Sequence, residues 1–544
     1  MQKKENINNI IHSIKDYKVI TFDVFDTLIK RDVQSFKDIV HLINIKYKKI
    51  TGKSLPLYFY RERLHAPKAA RRKKGGEQLE VSLDDIYDVL HIKNKELIKK
   101  IECEVELSCA YENKFVKEIY NYCVNTGKVV YAISDMYLPS DCINKMLEKC
   151  GYHSISKLFV SQEYGCNKAS GKLFDMFLRE TKNTKDNVVH IGDNYKADIS
   201  GSERMGIKSV HIMVYNNTLK YKKNVKINSN EKILYKFINN RMPEDKLESI
   251  GYEVLGPLLY YFAKWLKKKC LTAENICFCA RDGYLIKAAY ESICDTANKE
   301  KSTYVYVSRK SVQHAYEMIG QQKKLLTEYF IQNTEGKNIV IVDIGWSGRL
   351  HNMLKNILKE YKEITGYYLG TFKMFRKNVT DGMSCGFLKL SKYQMAKLYI
   401  HAGWIETLFS DTNHGTTEGY IQKPDSSIEP VLSEREFNGQ TIQKLQAGAL
   451  RFVQEWHTSD FSDLNISINS LIKPVFEFSM NPFYEDVKMF WNTEKKANKL
   501  GLKEYLNGLK NAHWKGGFLE SQEQYMWIGK IYKLVNPFVV MPKV

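Results

Sequence analysis

The sequence predicts an α/β protein: two successive modules of parallel strands joined by crossover helices, followed by a mixed C-terminal extension. Three observations carry this. Short apolar runs such as KVITF, KVVYAIS and NVVHIG recur through the first 215 residues, with helical-period stretches between them. Each run stops at a glycine, serine or aspartate, as strands do at the ligand-bearing edge of an open parallel sheet. A second alternation of the same kind begins after residue 270. At 544 residues the chain exceeds one ordinary core, and length alone suggests two to four domains.

Taken in order, Lys18–Ile29 (KVITFDVFDTLI) reads as a strand running into a tight acidic turn. Apolar spacing near 3.6 predicts helices over Val33–Ile50 and Ile86–Leu107, while Ala66–Gly76 (APKAARRKKGG) reads as a basic loop. Strands are predicted at Lys128–Ser134, Lys157–Ser161, Asn187–Gly192 and Ser209–Met213, with helices near Ser140–Cys150 and Gly171–Thr181. Strands alternating with helices mean parallel pairing through right-handed crossovers. From Tyr215 to Lys232 the composition turns polar and rich in Lys and Asn, as in a linker or a surface loop. The second alternation has strands at Asn275–Ala280, Tyr304–Ser308 and Asn338–Asp343, and a helix is expected at Glu434–Trp456. The expected domains are 1–215, a linker over 216–235, a second α/β domain over 236–380, and the extension 381–544.

Composition narrows the classes. Hydrophobic residues at 44% and charged residues at 26% are globular values, which argues against extensive disorder. Eleven cysteines carry no CxxC spacing, so neither a disulfide scaffold nor a structural zinc is expected, and a reducing cytoplasm fits best. The N-terminus MQKKENINNIIHSIKDYK has no signal-peptide core. The apolar stretch Gly256–Leu266 is too short to span a bilayer. It reads as a buried helix, with a membrane-interface helix ending in Lys267–Lys269 as the sharper alternative. Lys and Arg exceed Asp and Glu by 20, which favours anionic partners: phosphorylated metabolites, anionic surfaces or nucleic acid. No helix-turn-helix, RNP or Cys/His-finger pattern supports the last of these.

Four pieces at strand ends carry chemistry. Asp23, in Phe22-Asp23-Val24-Phe25-Asp26-Thr27-Leu28, places a carboxylate where it could attack phosphorus and split one displacement into two. Ser134 ends a second strand, beside Asp135, and its hydroxyl could bond a phosphoryl oxygen. Lys168, in NKASGKLF, could neutralise the charge that grows on the transferred group, with Lys172 as the competing choice. Gly192-Asp193, with Asp198 five residues on, projects two acids toward one point, and a hard cation such as Mg2+ takes carboxylate oxygens.

In this order and at these positions, residues 17–215 resemble the haloacid dehalogenase (HAD) superfamily. The resemblance implies a Rossmann-like domain with a helical cap over about 30–120. It implies Asp23 as nucleophile and Ser134 and Lys168 as phosphoryl-gripping residues. It also implies a magnesium site of Asp23, the backbone carbonyl of Phe25, Asp193 and Asp198. In one respect the chain departs from the family's phosphatases, which carry a second aspartate, the general acid, two residues past the nucleophile. Here that position is Phe25, and Asp26 follows as a candidate acid. Haloalkanoic-acid dehalogenases also carry an aromatic there, but they lack the Gly-Asp piece retained here as Gly192-Asp193.

In the second module, polar clusters sit at three strand ends: Ala280-Arg281-Asp282-Gly283, Val307-Ser308-Arg309-Lys310 and Val342-Asp343-Ile344-Gly345-Trp346-Ser347-Gly348-Arg349. A glycine-rich turn opening a helix suits an anion, so Arg281, Asp343, Gly345 and Ser347 are candidate ligand residues. Three readings stay open: a loose similarity to phosphoribosyltransferases, ordinary turn punctuation, or an unrecognised α/β ligand module. Trp404, Glu406, Asp411 and His414, in WIETLFSDTNHGT, read as a loop closing a domain rather than as a metal or catalytic site. The whole arrangement resembles multidomain hydrolase-like proteins of bacterial surface-polysaccharide clusters, which implies a phosphosugar or nucleotide-sugar substrate. The expected function is therefore magnesium-dependent phosphomonoester hydrolysis or phosphoryl transfer on a small phosphorylated metabolite. The alternatives are a transferase whose chemistry lies in the second module, and a non-catalytic basic scaffold.

Overall fold

The computed structural model describes residues 2–76, 79–213, 219–221, 227–317, 320–434 and 439–490. They form two compact units: unit 1 holds residues 2–213 and 227–241, and unit 2 holds 219–221 and 242–490.

Unit 1 is built on strands β1 (Val19–Phe22), β2 (Ile29–Arg31), β3 (Ala110–Glu112), β4 (Val129–Ser134), β5 (Leu158–Val160), β6 (Val188–Gly192) and β7 (Lys208–His211). Five of them make a parallel sheet in the order β5-β4-β1-β6-β7. All four residues of β1 are buried, as its central place demands. Val19, Ile133, Phe159, Phe174, Phe177 and Val188 pack together in the core. From β1 the chain winds outward through β4 and β5, then returns to β6 on the other side. The order therefore reverses between β1 and β6, where ligands bind in open α/β sheets.

Between β1 and β4 lies a helical cap: Phe36–Thr51, Phe59–Lys73, Leu83–Asp88 and Lys95–Cys109. The antiparallel pair β2–β3 joins it to the sheet domain. Two expectations are corrected here. The segment 66–76 is helical as far as Lys73, although Pro67 lies inside the helix. Ala66 and Ala70 are buried on one face, and Arg63 is held by Glu102, so packing outweighs proline's penalty. The single helix expected over 86–107 is two helices, separated at residues 89–94, where Asn94 adopts a left-handed φ of 59°.

Of the expected linker 216–235, residues 216–218 and 222–226 lie outside the described residues. From Ser229 onward it is a helix, Ser229–Arg241, within unit 1. Arg241 clamps the buried Asp32 through two hydrogen bonds of 2.6 and 2.8 Å, and Asn240 adds a third at 2.8 Å. This clamp secures the chain immediately after β2.

Unit 2 carries β8 (Asn275–Cys279), β9 (Ser302–Val305), β10 (Asn338–Trp346), β11 (Glu363–Thr371) and β12 (Cys385–Leu388), plus the hairpin β13 (Thr417–Gln422) and β14 (Ile428–Leu432). The first five form a second parallel sheet in the order β12-β11-β10-β8-β9, which reverses between β8 and β10. The sequence gives little sign of β11 and β12: EITGYYLGT carries two glycines, and CGFL is very short. The helix Gly256–Lys269 is buried along its apolar face, and a Cβ at Gly256 would come within 2.6 Å of the Phe452 side chain. That face is covered by protein, which corrects the membrane-interface alternative. No described helix is long and apolar enough to cross a membrane. The helix expected at Glu434–Trp456 spans Gln440–His457, with 435–438 outside the described residues.

Candidate active site of unit 1 and a polar crevice in unit 2

Asp23 directly follows β1, and its N–H donates to the Ile191 carbonyl at 2.9 Å, so sheet pairing carries the Asp23 loop past the strand end. The Lys168 ammonium donates to Asp23 Oδ1 and, at 2.6 Å, to Asp198 Oδ1. Lys168 is 2% exposed, which separates it from the competing Lys172, an exposed first residue of the next helix. Asp135 does not point at this pair. Its carboxylate takes the Lys168 backbone N–H at 2.9 Å and so positions the lysine loop. A Cβ at Gly201 would lie 2.2 Å from the Lys168 carbonyl, so that position needs glycine for the loop to approach.

Asp198 is the most heavily bonded acid. Besides Lys168, it accepts the Asn194 N–H at 2.9 Å and faces His190 Nε2 at 3.3 Å. His190 Nδ1 in turn meets Thr21 Oγ1 at 2.8 Å. Burial holds the His190 pKa down, so the ring is neutral; the network assigns the proton to Nε2, facing Asp198. This Thr21–His190–Asp198 chain has no sequence signal, because Thr21 and His190 look like ordinary strand positions. A Cβ at Gly192 would come within 2.4 Å of the Asp198 carboxyl carbon, so the glycine makes room for this acid.

The electrostatics follow. Burial pushes the Asp23 pKa up to about 7, against the pull of Lys168 and with help from Asp198 and Asp193. Burial works against the charge on Lys168, yet Asp23 and Asp198 hold its pKa above the ordinary lysine value. Asp198 is also buried, but His190 and Lys168 keep it below the usual carboxylate range. Asp193 is raised by burial and by the charges of Asp26 and Asp198, with Thr27 donating to it at 3.2 Å.

Ser134 is 1% exposed, and its Oγ has no hydrogen-bond partner. A buried hydroxyl left open at a strand end costs free energy unless a ligand completes it. Asp26 lies in the left-handed region, φ 63°, with an exposed side chain, outside the Asp23–Lys168–Asp198 contact set.

One carboxylate oxygen from each of Asp23, Asp193 and Asp198 lies within 4.8 Å of the others. The donor set fits a hard divalent cation, since all donors are oxygens and the acids outnumber Lys168. Asp198 has both oxygens engaged by protein donors, which casts it as support behind Asp23 and Asp193. Saturating magnesium should stabilise the protein by about 2.7 kcal/mol at 100-fold over Kd. Differential scanning calorimetry should show this rise in Tm for the wild type and not for Asp193→Asn.

In unit 2 the sheet brings Asp282, beyond β8, and Asp343, inside β10, together at the reversal point; β10 runs on through Gly345 and Trp346, so the turn expected directly after Asp343 begins only beyond Trp346. Ser410 donates to Asp282 at 2.7 Å, and burial plus nearby Glu406 push the Asp282 pKa up to about 6. Burial and Asp282 raise Asp343 well above the ordinary value. Glu406 accepts from the Trp346 indole at 2.7 Å, with Arg309 at 3.5 Å. Arg281 instead donates to Thr416 at 2.5 Å. Gly345 has a φ of 118°, and the Ser347 carbonyl accepts from Asn378 at 2.7 Å. His414 meets Tyr304 at 3.0 Å and Asp411 at 3.3 Å. Thus WIETLFSDTNHGT, read as a closing loop, is helical as far as Phe409 and supplies Glu406 and Ser410 to this polar cluster, a long-range approach without a sequence signal.

No protein-family model matches the chain, and no curated protein does. Solved structures are similar over about a third of it. A protein described as a HAD-hydrolase, YfnB of Bacillus subtilis bound to magnesium, is 15% identical over 36% of this chain and 87% of its own, with a TM-score of 0.27. CbbY of Rhodobacter sphaeroides in complex with phosphate is 12% identical over 36% and 86%, TM-score 0.26. L-2-haloacid dehalogenase of Xanthobacter autotrophicus, with chloropropionic acid covalently bound, is 8% identical over 36% and 77%, TM-score 0.27. At these values the likenesses add nothing to the chemistry, which rests on the site's own geometry.

Proposed function

We propose that unit 1 is a magnesium-dependent phosphatase, or phosphoryl-transfer hydrolase, acting in the cytoplasm on a small phosphorylated metabolite. The observation that supports this most is the buried Lys168 ammonium joining Asp23 to Asp198, beside the unpartnered Ser134 hydroxyl.

In this reading an Asp23 oxygen forms a bond to phosphorus as the P–O bond to the leaving group breaks, giving an aspartyl-phosphate. Water then attacks that phosphorus and restores the carboxylate. Lys168 and Ser134 hold the non-bridging oxygens, and Lys168 opposes the charge that grows on them. Magnesium, held by Asp23, Asp193 and the Phe25 carbonyl with Asp198 in support, would supply charge neutralisation at those oxygens. Phe25 cannot donate a proton to the departing oxygen. That proton comes from water or from Asp26, and substrates whose leaving group needs little assistance are favoured. Sugar phosphates of surface-polysaccharide synthesis make the first panel to try.

The test is phosphate release from sugar and nucleotide phosphates, with and without magnesium. Wild type should turn over at least one of them only with magnesium, and Asp23→Asn should lose at least about 10⁴-fold. Absence of turnover, or turnover kept in Asp23→Asn but lost in Asp343→Asn, would overturn the assignment and move the chemistry to unit 2.

A further inference from the structure

Arg31, Arg63 and Arg241 of unit 1 each place a guanidinium over an aromatic ring, and they differ in one respect. Arg63 gives its fork to Glu102, and Arg241 gives its fork to Asp32. Arg31 donates no side-chain hydrogen bond to any described residue. It forms an ion pair with Glu106, Nη1 to Oε2 at 3.7 Å, longer than a hydrogen bond. Its guanidinium lies over the Phe25 ring, 5.1 Å from the centroid, and its side chain is 30% exposed. A guanidinium has five N–H donors, and one over an aromatic face with a single long ion pair keeps most of them for a planar or tetrahedral oxyanion.

Arg31 ends β2, and Phe25 is two residues from the nucleophile, at most about 7 Å of chain. A bridge between Phe25 and Ile29 closes the turn between Asp23 and β2, so the arginine is held on the chain that leaves the proposed phosphoryl site. Behind it, Glu106 is fully buried and neither of its oxygens is hydrogen-bonded. Burial raises the Glu106 pKa, and Arg31 opposes that rise from 3.7 Å. Tyr137, three residues beyond Ser134, completes the surroundings. The Asp32 clamp fixes the backbone immediately after Arg31.

We propose that Arg31, laid across Phe25, receives a second anionic group of the substrate, so that this site takes phosphomonoesters carrying a further carboxylate or phosphate a few bonds from the scissile ester. This rests on the reading of unit 1 as a phosphoryl-transfer site. It also accounts for Phe25. An acid at that position would pair with the guanidinium and quench it, whereas the ring holds it open.

The experiment compares matched pairs. The carboxylate arm sets 3-phosphoglycerate against glycerol 3-phosphate; the phosphate arm sets fructose 1,6-bisphosphate against fructose 1-phosphate. Wild type should favour the doubly anionic member of at least one pair by about tenfold or more in kcat/KM, chiefly through KM. The arm that responds names the source of the oxyanion. Arg31→Gln should bring that ratio close to one. Arg31→Lys should fall between, because an ammonium keeps the charge and loses the fork. Circular dichroism confirms that the variants fold.

Calorimetric titration of Asp23→Asn and of Asp23→Asn/Arg31→Gln with the same four compounds reads binding without turnover. A wild-type ratio near one in both arms, or a ratio unchanged by Arg31→Gln, overturns the inference while leaving the phosphatase reading in place. Absence of turnover with a binding preference that still depends on Arg31 overturns the phosphatase reading and supports the subsite. Absence of any binding preference in either arm overturns the subsite by itself.

Discussion

Lys168→Met is expected to lower kcat by about 10³-fold and to destabilise the metal-free protein by about 3–5 kcal/mol. Two effects combine in the rate. In the proposed reaction the variant loses the cation that would face the phosphoryl oxygens, and Asp23, already raised to about 7, loses its principal stabilising charge. The stability loss has its own cause: Asp23 and Asp198 remain in a buried space without the ammonium that both contact. Magnesium should restore part of the lost Tm, since it brings positive charge to the same acids, but not the rate, since it cannot take the place of the Nζ donors. A variant as active as wild type would remove Lys168 from the chemistry.

The pH dependence of the metal-free protein has a definite sign. Lys168 is raised above its ordinary value, so its contribution is complete below about 10.5 and is lost as pH climbs through the folded value. Asp198 is depressed, so its contribution is present above about 3.9 and is lost as pH falls. Asp23 runs the other way, because burial makes its ionisation between about 4 and 7 a cost. The stability difference between wild type and Lys168→Met should therefore be larger at pH 7 than at pH 3. Thermal melts at both values check this.

Arg63→Met is expected to cost about 3–5 kcal/mol, seen as a fall of about 10 °C or more in the Tm of unit 1. Arg63 and Glu102 are both fully buried, and the pair is completed by the Tyr87 hydroxyl at 2.7 Å. The guanidinium also lies over Phe36 at 4.7 Å and Tyr137 at 5.0 Å, so it ties two cap helices to the loop that follows Ser134. Removing it leaves a buried carboxylate with one remaining donor. The triple variant Arg63→Met/Glu102→Met/Tyr87→Phe removes every polar member and should recover most of the loss, because an apolar replacement of a whole buried pair is close to neutral. Failure of the triple variant to recover would mean that shape, rather than the unpaired charge, sets the cost.

These residues also mark how far the sequence could be read. Asp23, Ser134 and Asp193 were legible as strand-end groups because each belongs to a polar cluster at the end of an apolar run, and a parallel sheet lines up strand ends whatever the intervening cap does. The choice between Lys168 and Lys172 was not legible: both sit in one polar octapeptide, and only burial against Asp23 and Asp198 separates them. His190 and Thr21 were invisible for the same reason, since inside strands they carry no local signal for a hydrogen-bonded chain beneath Asp198. The helix through Pro67 was not legible because local propensity opposes it, and Arg63–Glu102 packing decides it.

By itself the sequence determined the α/β class, the strand ends of unit 1 and the acids that gather there. Those follow from the period of hydrophobicity and from short-range turn chemistry, both of which act over a few residues. Tertiary structure alone decided which charges face one another. It brought Lys168 between two acids 145 and 30 positions away along the chain. It brought Asp282 and Asp343 together with Glu406, and it placed the Arg31 guanidinium over Phe25. Charge pairing depends on distance in space and on exclusion of water, and neither exists until the sheets have closed.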